Sequence, residues 1–169
     1  MSVKGGIMVP HPPLIIPEVG RGREREIQTT IDAYHSAARK LASWQPDTVV
    51  VLSPHSVMYM DYFHISPGTE AEGDFGQFGA PQVKIKVSYD TEFVELLSRE
   101  AQDRKIPAGT LGERAPQLDH GTMIPLWFLN HYYTDYKVVR IGLSGQTFSS
   151  HYILGQCIQK TAGLCGRKI

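Results

Sequence analysis

The sequence predicts an α/β domain, a mostly parallel central sheet flanked by helices, and three stretches carry that prediction. Residues 47–56 (DTVVVLSPHS) hold an unbroken aliphatic run bounded by Pro46 and Pro54. Such a run reads as a strand buried on both faces, as in the middle of a parallel sheet. Before it, residues 24–44 repeat apolar side chains with a helical period: Ile27, Ile31, Tyr34, Ala38 and Leu41 step by four, three, four and three. Further on, residues 137–143 (KVVRIGL) form another strand-like run. With a first strand at residues 3–9, that helix and the 47–56 strand read as strand, helix, strand, the right-handed crossover unit of a parallel sheet. In such sheets ligands bind at the carboxyl ends of the strands, which is where His55 falls.

The elements follow in order. Val3–Val9 is a plausible first strand, interrupted by Gly5 and Gly6, and it stops at Pro10-His11-Pro12-Pro13, which cannot continue as a helix. After His55, residues 61–66 (DYFHIS) suggest a strand. Residues 67–81 (PGTEAEGDFGQFGAP) suggest a long glycine-rich loop carrying Phe75 and Phe78. Residues 82–87 (QVKIKV) alternate as a strand with one wet face does. Tyr89-Asp90-Thr91 can cap a helix reaching about Arg104, with Phe93, Leu97 and Ala101 inward. Residues 106–117 show no long pattern. The apolar run after His120 reads as a buried helix with Pro125 in its first turn. A last helix carries Ile153 or Leu154, Cys157, Ile158, Thr161 and Leu164, and Arg167-Lys168-Ile169 looks like the opening of another strand. Residues 1–169 therefore read as one domain that lacks its C-terminal part.

Composition excludes several classes. The chain has 169 residues, enough for a real core, with 41% hydrophobic and 20% charged residues. Lys+Arg 17 balances Asp+Glu 17, so nothing favours nucleic acid as a partner. No apolar run approaches the roughly 20 residues that cross a bilayer. The first residues lack the apolar core of a secretory signal, which suggests a cytoplasmic protein. Cys157 and Cys165 would lie about 12 Å apart along a helix, too far for a disulfide, so they read as free thiols of a reducing compartment.

Three of the seven histidines stand out: His11 in VPHPP, His55 in SPHS and His120 in LDHG, each after a strand or loop end and beside Pro or Gly. Two imidazoles and a carboxylate suit non-haem Fe(II) and oxygen chemistry, while imidazole also suits Zn, so the histidines do not name the metal. A Zn-dependent hydrolase or lyase would use the same residues. His35, His64, His131 and His151 sit within or beside regular elements and read as structural. No GxGxxG, Walker or GxSxG pattern is present. Asp119 either orients a base or caps the helix that follows.

VPHPPLIIPEVGRG, PDTVVVLSPHS, GDFGQFGAP and LDHGTMIPLWFLN, in this order, resemble the class III extradiol ring-cleavage dioxygenase superfamily. The resemblance runs through nearly the whole chain and leans toward its memo-like branch, the type found in the AmmeMemoRadiSam system. It implies that His11 and His55 are Fe(II) ligands and that His120 is the acid/base. It implies a small catecholic aromatic substrate and aromatic ring cleavage with dioxygen. The third ligand, usually a glutamate on a later strand, has no match within the chain; that strand would begin near Arg167–Ile169. Zn or another divalent metal in place of Fe(II) stays open. So does a diverged binding or accessory module acting with a fused or neighbouring partner, and so does a homo-oligomer.

Overall fold

The computed structural model describes residues 2–169 and shows a three-layered α/β domain. Strands β1 (Thr48–Ser53) and β6 (Lys137–Gly142) run parallel, with Thr48 opposite Lys137 and Ser53 opposite Gly142. Two-residue strands β2 (Phe63–His64) and β5 (Ala108–Gly109) also pair parallel. Strands β3 (Glu70–Phe75) and β4 (Ala80–Ser88) form an antiparallel hairpin.

β6 is the central strand. One edge pairs with β1, and the other is bridged by Ile65 at Ile141 and by Tyr89 at Val138. Accordingly every β6 residue after Lys137 is buried. The expectation that residues 47–56 occupy the middle of the sheet is therefore corrected. β1 has one strand neighbour, and Leu52 is 48% exposed. An aliphatic run reports a preference for a two-sided apolar environment, and cannot reveal which of two such runs takes the centre.

Alternation along β1 and β6 builds the two faces. Val49, Val51 and Val138 pack with Tyr34 and Ala38 of α2 (Gln28–Trp44) and with Ile124, Leu126 and Phe128 of α4 (His120–Asn130). Val50, Val139 and Ile141 pack with Phe93 and Leu97 of α3 (Thr91–Asp103) and Leu154 and Cys157 of α5 (Phe148–Leu164). A short helix, α1 (Pro17–Gly20), precedes α2. Phe93, Leu97 and Ala101 are all buried as expected, and Asp90 caps α3 by accepting from Phe93 N–H.

Four further expectations are corrected. Residues 3–9 form no regular strand, and nearly all are exposed. A strand needs a neighbour to take its backbone groups, and residues 5–9 have no backbone hydrogen bond among the described residues. Residues 67–81 are mostly not a loop: Glu70–Phe75 pairs with β4, placing Ala71 and Phe75 inward, and Gly73 lets the Leu118 carbonyl approach where a Cβ would meet it at 2.5 Å. Pro125 stands beyond the first turn of α4, which starts at His120. Leu164 is exposed rather than on the inner face of α5.

The thiols are free, Cys157 buried and Cys165 partly so. Burial pushes the Cys157 thiol above its ordinary pKa, which makes it a small core residue rather than a nucleophile. No helix among the described residues is long and apolar enough to cross a membrane.

Candidate metal centre

Three segments far apart in sequence bring imidazoles to the carboxyl end of β1. His11 stands where Pro10, Pro12 and Pro13 stiffen the backbone; the loop is pinned by Tyr34 Oη donating to the Pro10 carbonyl at 2.7 Å and by buried Ile15 and Ile16. His55 follows Ser53-Pro54, and its N–H donates to Ser53 Oγ at 3.1 Å. His120 is the first residue of α4. His11 and His55 approach Nε2 to Nε2 at 2.9 Å. The ring centroids of His55 and His120 are 4.1 Å apart, those of His11 and His120 5.7 Å.

One ring nitrogen from each of the three falls within 4.8 Å of the others. These are the three histidines singled out in the sequence, and the structure unites all of them. His35, His64, His131 and His151 lie elsewhere: His35 contacts Phe128 and Tyr132, His131 bonds the Trp127 carbonyl, and His151 packs on Phe63. The donor set fits a divalent transition metal. Neutral imidazoles suit Fe(II) and Zn alike, and the 2.9 Å approach is close to the edge of about 3.0 Å spanned by neighbouring ligands with bonds near 2.1 Å.

Asp119 organises the site without joining it. Its Oδ1 accepts from Ser53 Oγ (2.6 Å) and Thr122 N–H (3.0 Å); its Oδ2 accepts from Ser56 Oγ (3.0 Å) and Thr122 Oγ1 (2.9 Å). Of the two readings the cap is the one seen: Asp119 caps α4, its carboxylate bonds no imidazole among the described residues, and through Ser53 and Ser56 it ties the loop that carries His55 to the helix that begins with His120. Burial alone would raise its pKa, but the hydrogen bonds from Ser53, Thr122 and Ser56 outweigh this and hold the carboxyl below its ordinary value. With its acceptors so engaged, it is a poor third metal ligand. Ser53, Ser56 and Thr122 escaped the sequence reading, because hydroxyls flanking a strand end carry no pattern of their own.

Gly121 is required by close approach. A Cβ there would meet Ser53 Oγ at 2.7 Å, Asp119 Oδ1 at 3.1 Å and His55 Cδ2 at 3.1 Å. Gly121→Ala should cost about 1–3 kcal/mol, the usual range for overpacking. It should also shift His55, so metal affinity measured by Co(II) titration falls even where the fold is retained. Unchanged affinity would show that the contact is slack.

His120 has its pKa lowered by burial first and by His55 next, with Asp119 pulling the other way and His11 adding a smaller lowering. Phe78 packs edge-on against its ring at 5.2 Å between centroids. Phe75, by contrast, is fully buried and belongs to the core, which corrects the expectation that both phenylalanines sit in a loop.

Behind Asp119 lies a buried cationic brace. Arg140, 1% exposed, donates through Nε to Ser66 Oγ (2.6 Å) and through its terminal nitrogens to the carbonyls of Gln117 (2.6 Å) and Ala115 (2.8 Å). It pairs with Glu113 at 3.4 Å and stands 4.0 Å from Asp119. His64 lies alongside, 1% exposed, with neither ring nitrogen hydrogen-bonded among the described residues and Glu113 at 3.9 Å. Burial lowers the His64 pKa; Glu113 opposes and Arg140 reinforces this. The unfolded imidazole protonates near pH 6.5, while the folded one resists to lower pH. Its contribution to stability is therefore complete above about 6.5 and is lost as pH falls from there through the folded value. Urea midpoints of the wild type should drop between pH 7.5 and 5.5, and those of His64→Leu should drop less. Parallel pH profiles would refute this assignment.

An α/β domain with three imidazoles converging at a strand end is a candidate metal-binding domain. Comparison with known proteins supplies its family. Residues 5–163 match the model of the catalytic LigB subunit of aromatic ring-opening dioxygenase. The chain belongs to this family, that of the class III extradiol enzymes. It is also 32% identical over 167 residues to Protein CA_C1420 of Clostridium acetobutylicum, a match covering 95% of this chain and 36% of that protein. The chain thus spans about a third of the length of that curated relative.

Proposed function

We propose that the domain is a non-haem Fe(II)-dependent extradiol dioxygenase that opens the ring of a small catecholic aromatic compound. The observation that carries this reading is the convergence of His11, His55 and His120 at one strand end in a chain of the LigB family. His11 and His55 would hold the metal; their rigid, proline-flanked loops fix the ring directions before it arrives. Bound Fe(II) would supply a place for both catechol oxygens and for dioxygen, orienting them and stabilising charge.

The chain's own residues supply the rest. Burial and the neighbouring imidazole keep His120 neutral at pH 7, so a free ring nitrogen can accept the proton of a catechol hydroxyl and return it later. Phe78 beside His120 offers an aromatic edge to a planar substrate and helps exclude water. Asp119 keeps the His55 loop and His120 in register.

The test is direct. Protein charged anaerobically with Fe(II) and then given catechol and air should form a yellow ring-opened product. His120→Gln should retain the metal while losing roughly 10²–10⁴ in turnover, the usual worth of a positioned acid/base. One bound metal with no ring opening across a panel of catechols would refute the dioxygenase reading. It would leave a metal-binding accessory module working with a partner.

A further inference from the structure

The Phe78 ring that meets His120 stands at 77° to it. Phe78 closes a single 3₁₀ turn, Gly76–Phe78, at the joint between β3 and β4. One residue on, Gly79 is left-handed, with φ 81°. A single 3₁₀ turn has little intrinsic stability. Gly79 N–H donates to the Gly76 carbonyl at 2.9 Å, and Gly76 N–H to Asp74 Oδ1 at 2.7 Å, so both bonds stay within the turn and its flank. Among the described residues, the one hydrogen bond from these residues to a distant part of the chain is with Arg21. Its Nη2 donates to the Gly79 carbonyl at 3.1 Å.

Arg21 ends the segment that carries His11. Ile15 N–H donates to the Pro12 carbonyl at 3.0 Å, Gly20 N–H to Ile16 at 2.8 Å and Arg21 N–H to Pro17 at 2.8 Å, so the chain from Pro12 to Arg21 is wound into one compact unit. Buried Ile15, Ile16 and Gly20 anchor it. The bond from Arg21 is thus a strut between the unit holding His11 and the turn holding Phe78. Arginine is a costly choice for it. Arg21 has φ 52° and ψ 41°, a left-handed conformation that glycine adopts freely. A strained angle kept by a non-glycine residue points to a use for its side chain. The charge is not spent on a carboxylate: Arg21 makes no ion pair among the described residues, whereas Arg23, Arg140 and Arg167 do. At the receiving end, a Cβ on Gly79 would stand 3.2 Å from Arg21 Nη2, so the bare residue lets the guanidinium in.

We propose that Arg21 is a positioning residue: its bond to Gly79 holds Phe78 against His120 and so fixes the width of the mouth over the metal centre. Catechols with bulky ring substituents are then poor ligands. Without the strut the turn swings outward, Phe78 leaves His120, and the wall opens to larger rings. The ligand preference rests on the dioxygenase reading; the placement of Phe78 does not, since it follows from the hydrogen bond and the ring contact alone.

The experiment compares the wild type with Arg21→Gln, Arg21→Lys and Arg21→Gly. In the metal-free protein the ring protons of Phe78 and His120 should show mutual nuclear Overhauser contacts. Arg21→Gln and Arg21→Gly should lose them, and Arg21→Lys, which keeps a donor, should retain part. Arg21→Gly relieves the left-handed angle, so its melting temperature should not fall, and a lost contact there is not a lost fold. On Co(II)-loaded protein under argon, the wild type should bind catechol about 10-fold or more tightly than tert-butylcatechol, the scale on which a pocket rejects misfitting bulk, and in Arg21→Gln the ratio should approach one. Ring contacts that persist in both Arg21→Gln and Arg21→Gly overturn the proposal. So does a lost contact with an unmoved ratio. The expected ratios without any ring opening in air support the strut and fail the dioxygenase reading alone. Co(II) protein that binds neither catechol overturns both.

Discussion

Replacing His55 by alanine is expected to lower Co(II) and Fe(II) affinity by roughly 100-fold or more, beyond the 10–100-fold typical of losing only a group that orients a ligand. The reason lies in the 2.9 Å approach of His55 Nε2 to His11 Nε2. In the proposed centre these two converging nitrogens would form the chelate, and losing either would leave a single imidazole and water. His11→Ala should match it, and the double variant should be no worse than the poorer single one by more than a small factor. His55 is exposed and His11 half-buried, so urea midpoints should stay within about 0.5 kcal/mol of the wild type for His55→Ala and fall somewhat further for His11→Ala. Equilibrium dialysis beside denaturation separates the two effects. Full metal binding by the double variant would remove these residues from the centre.

Arg140→Met should have the largest effect on the fold, about 3–5 kcal/mol, the cost of removing one partner from a buried charged network. Methionine keeps much of the volume but leaves the Gln117 and Ala115 carbonyls and Ser66 Oγ without their donor, and Glu113 without its cation. For a domain of this size the melting temperature should fall by about 6–20 °C. Glu113→Gln should cost less, since Glu113 is partly exposed and the arginine keeps its carbonyl partners. A loss below about 1 kcal/mol for Arg140→Met would show that the strap of residues 113–117 relaxes freely. The same variant should loosen Asp119, 4.0 Å away, and so weaken the metal site without touching a histidine.

Much of the site was legible because its residues carry their own signals. A histidine between prolines, a histidine after an aliphatic run and a histidine before glycine each stand at an element end, and element ends are where side chains can converge. That residues 47–56 and 137–143 form strands was legible from their aliphatic runs, and the start of α3 from Tyr89-Asp90-Thr91 before a helical period; that the two strands pair was not. Arg140 was not legible. Inside KVVRIGL it is a charge set between Val139 and Ile141, and its partners Ser66 and Glu113 lie 74 and 27 residues away. β3 was hidden for another reason: EAEGDF lacks β-branched residues, so its strand state is imposed by pairing with QVKIKV and by packing of Gly73 under Leu118. Residues 3–9 failed in the opposite sense. Their composition favours a strand, but a strand is a property of pairs, and among the described residues their one backbone hydrogen bond is from Lys4 to Ile169.

The bare edge of β1 also bears on colloidal behaviour. With a formal net charge of +0 and a pI of about 7.1, molecules of this chain have no long-range repulsion at neutral pH to keep open edges apart. An unpaired aliphatic edge is then a template for intermolecular sheet growth. Turbidity of the 169-residue protein should peak near pH 7 and decline on either side. Acidic substitutions at Leu52 and Met8, both exposed, should suppress it more than the same charges placed on the outer face of α5.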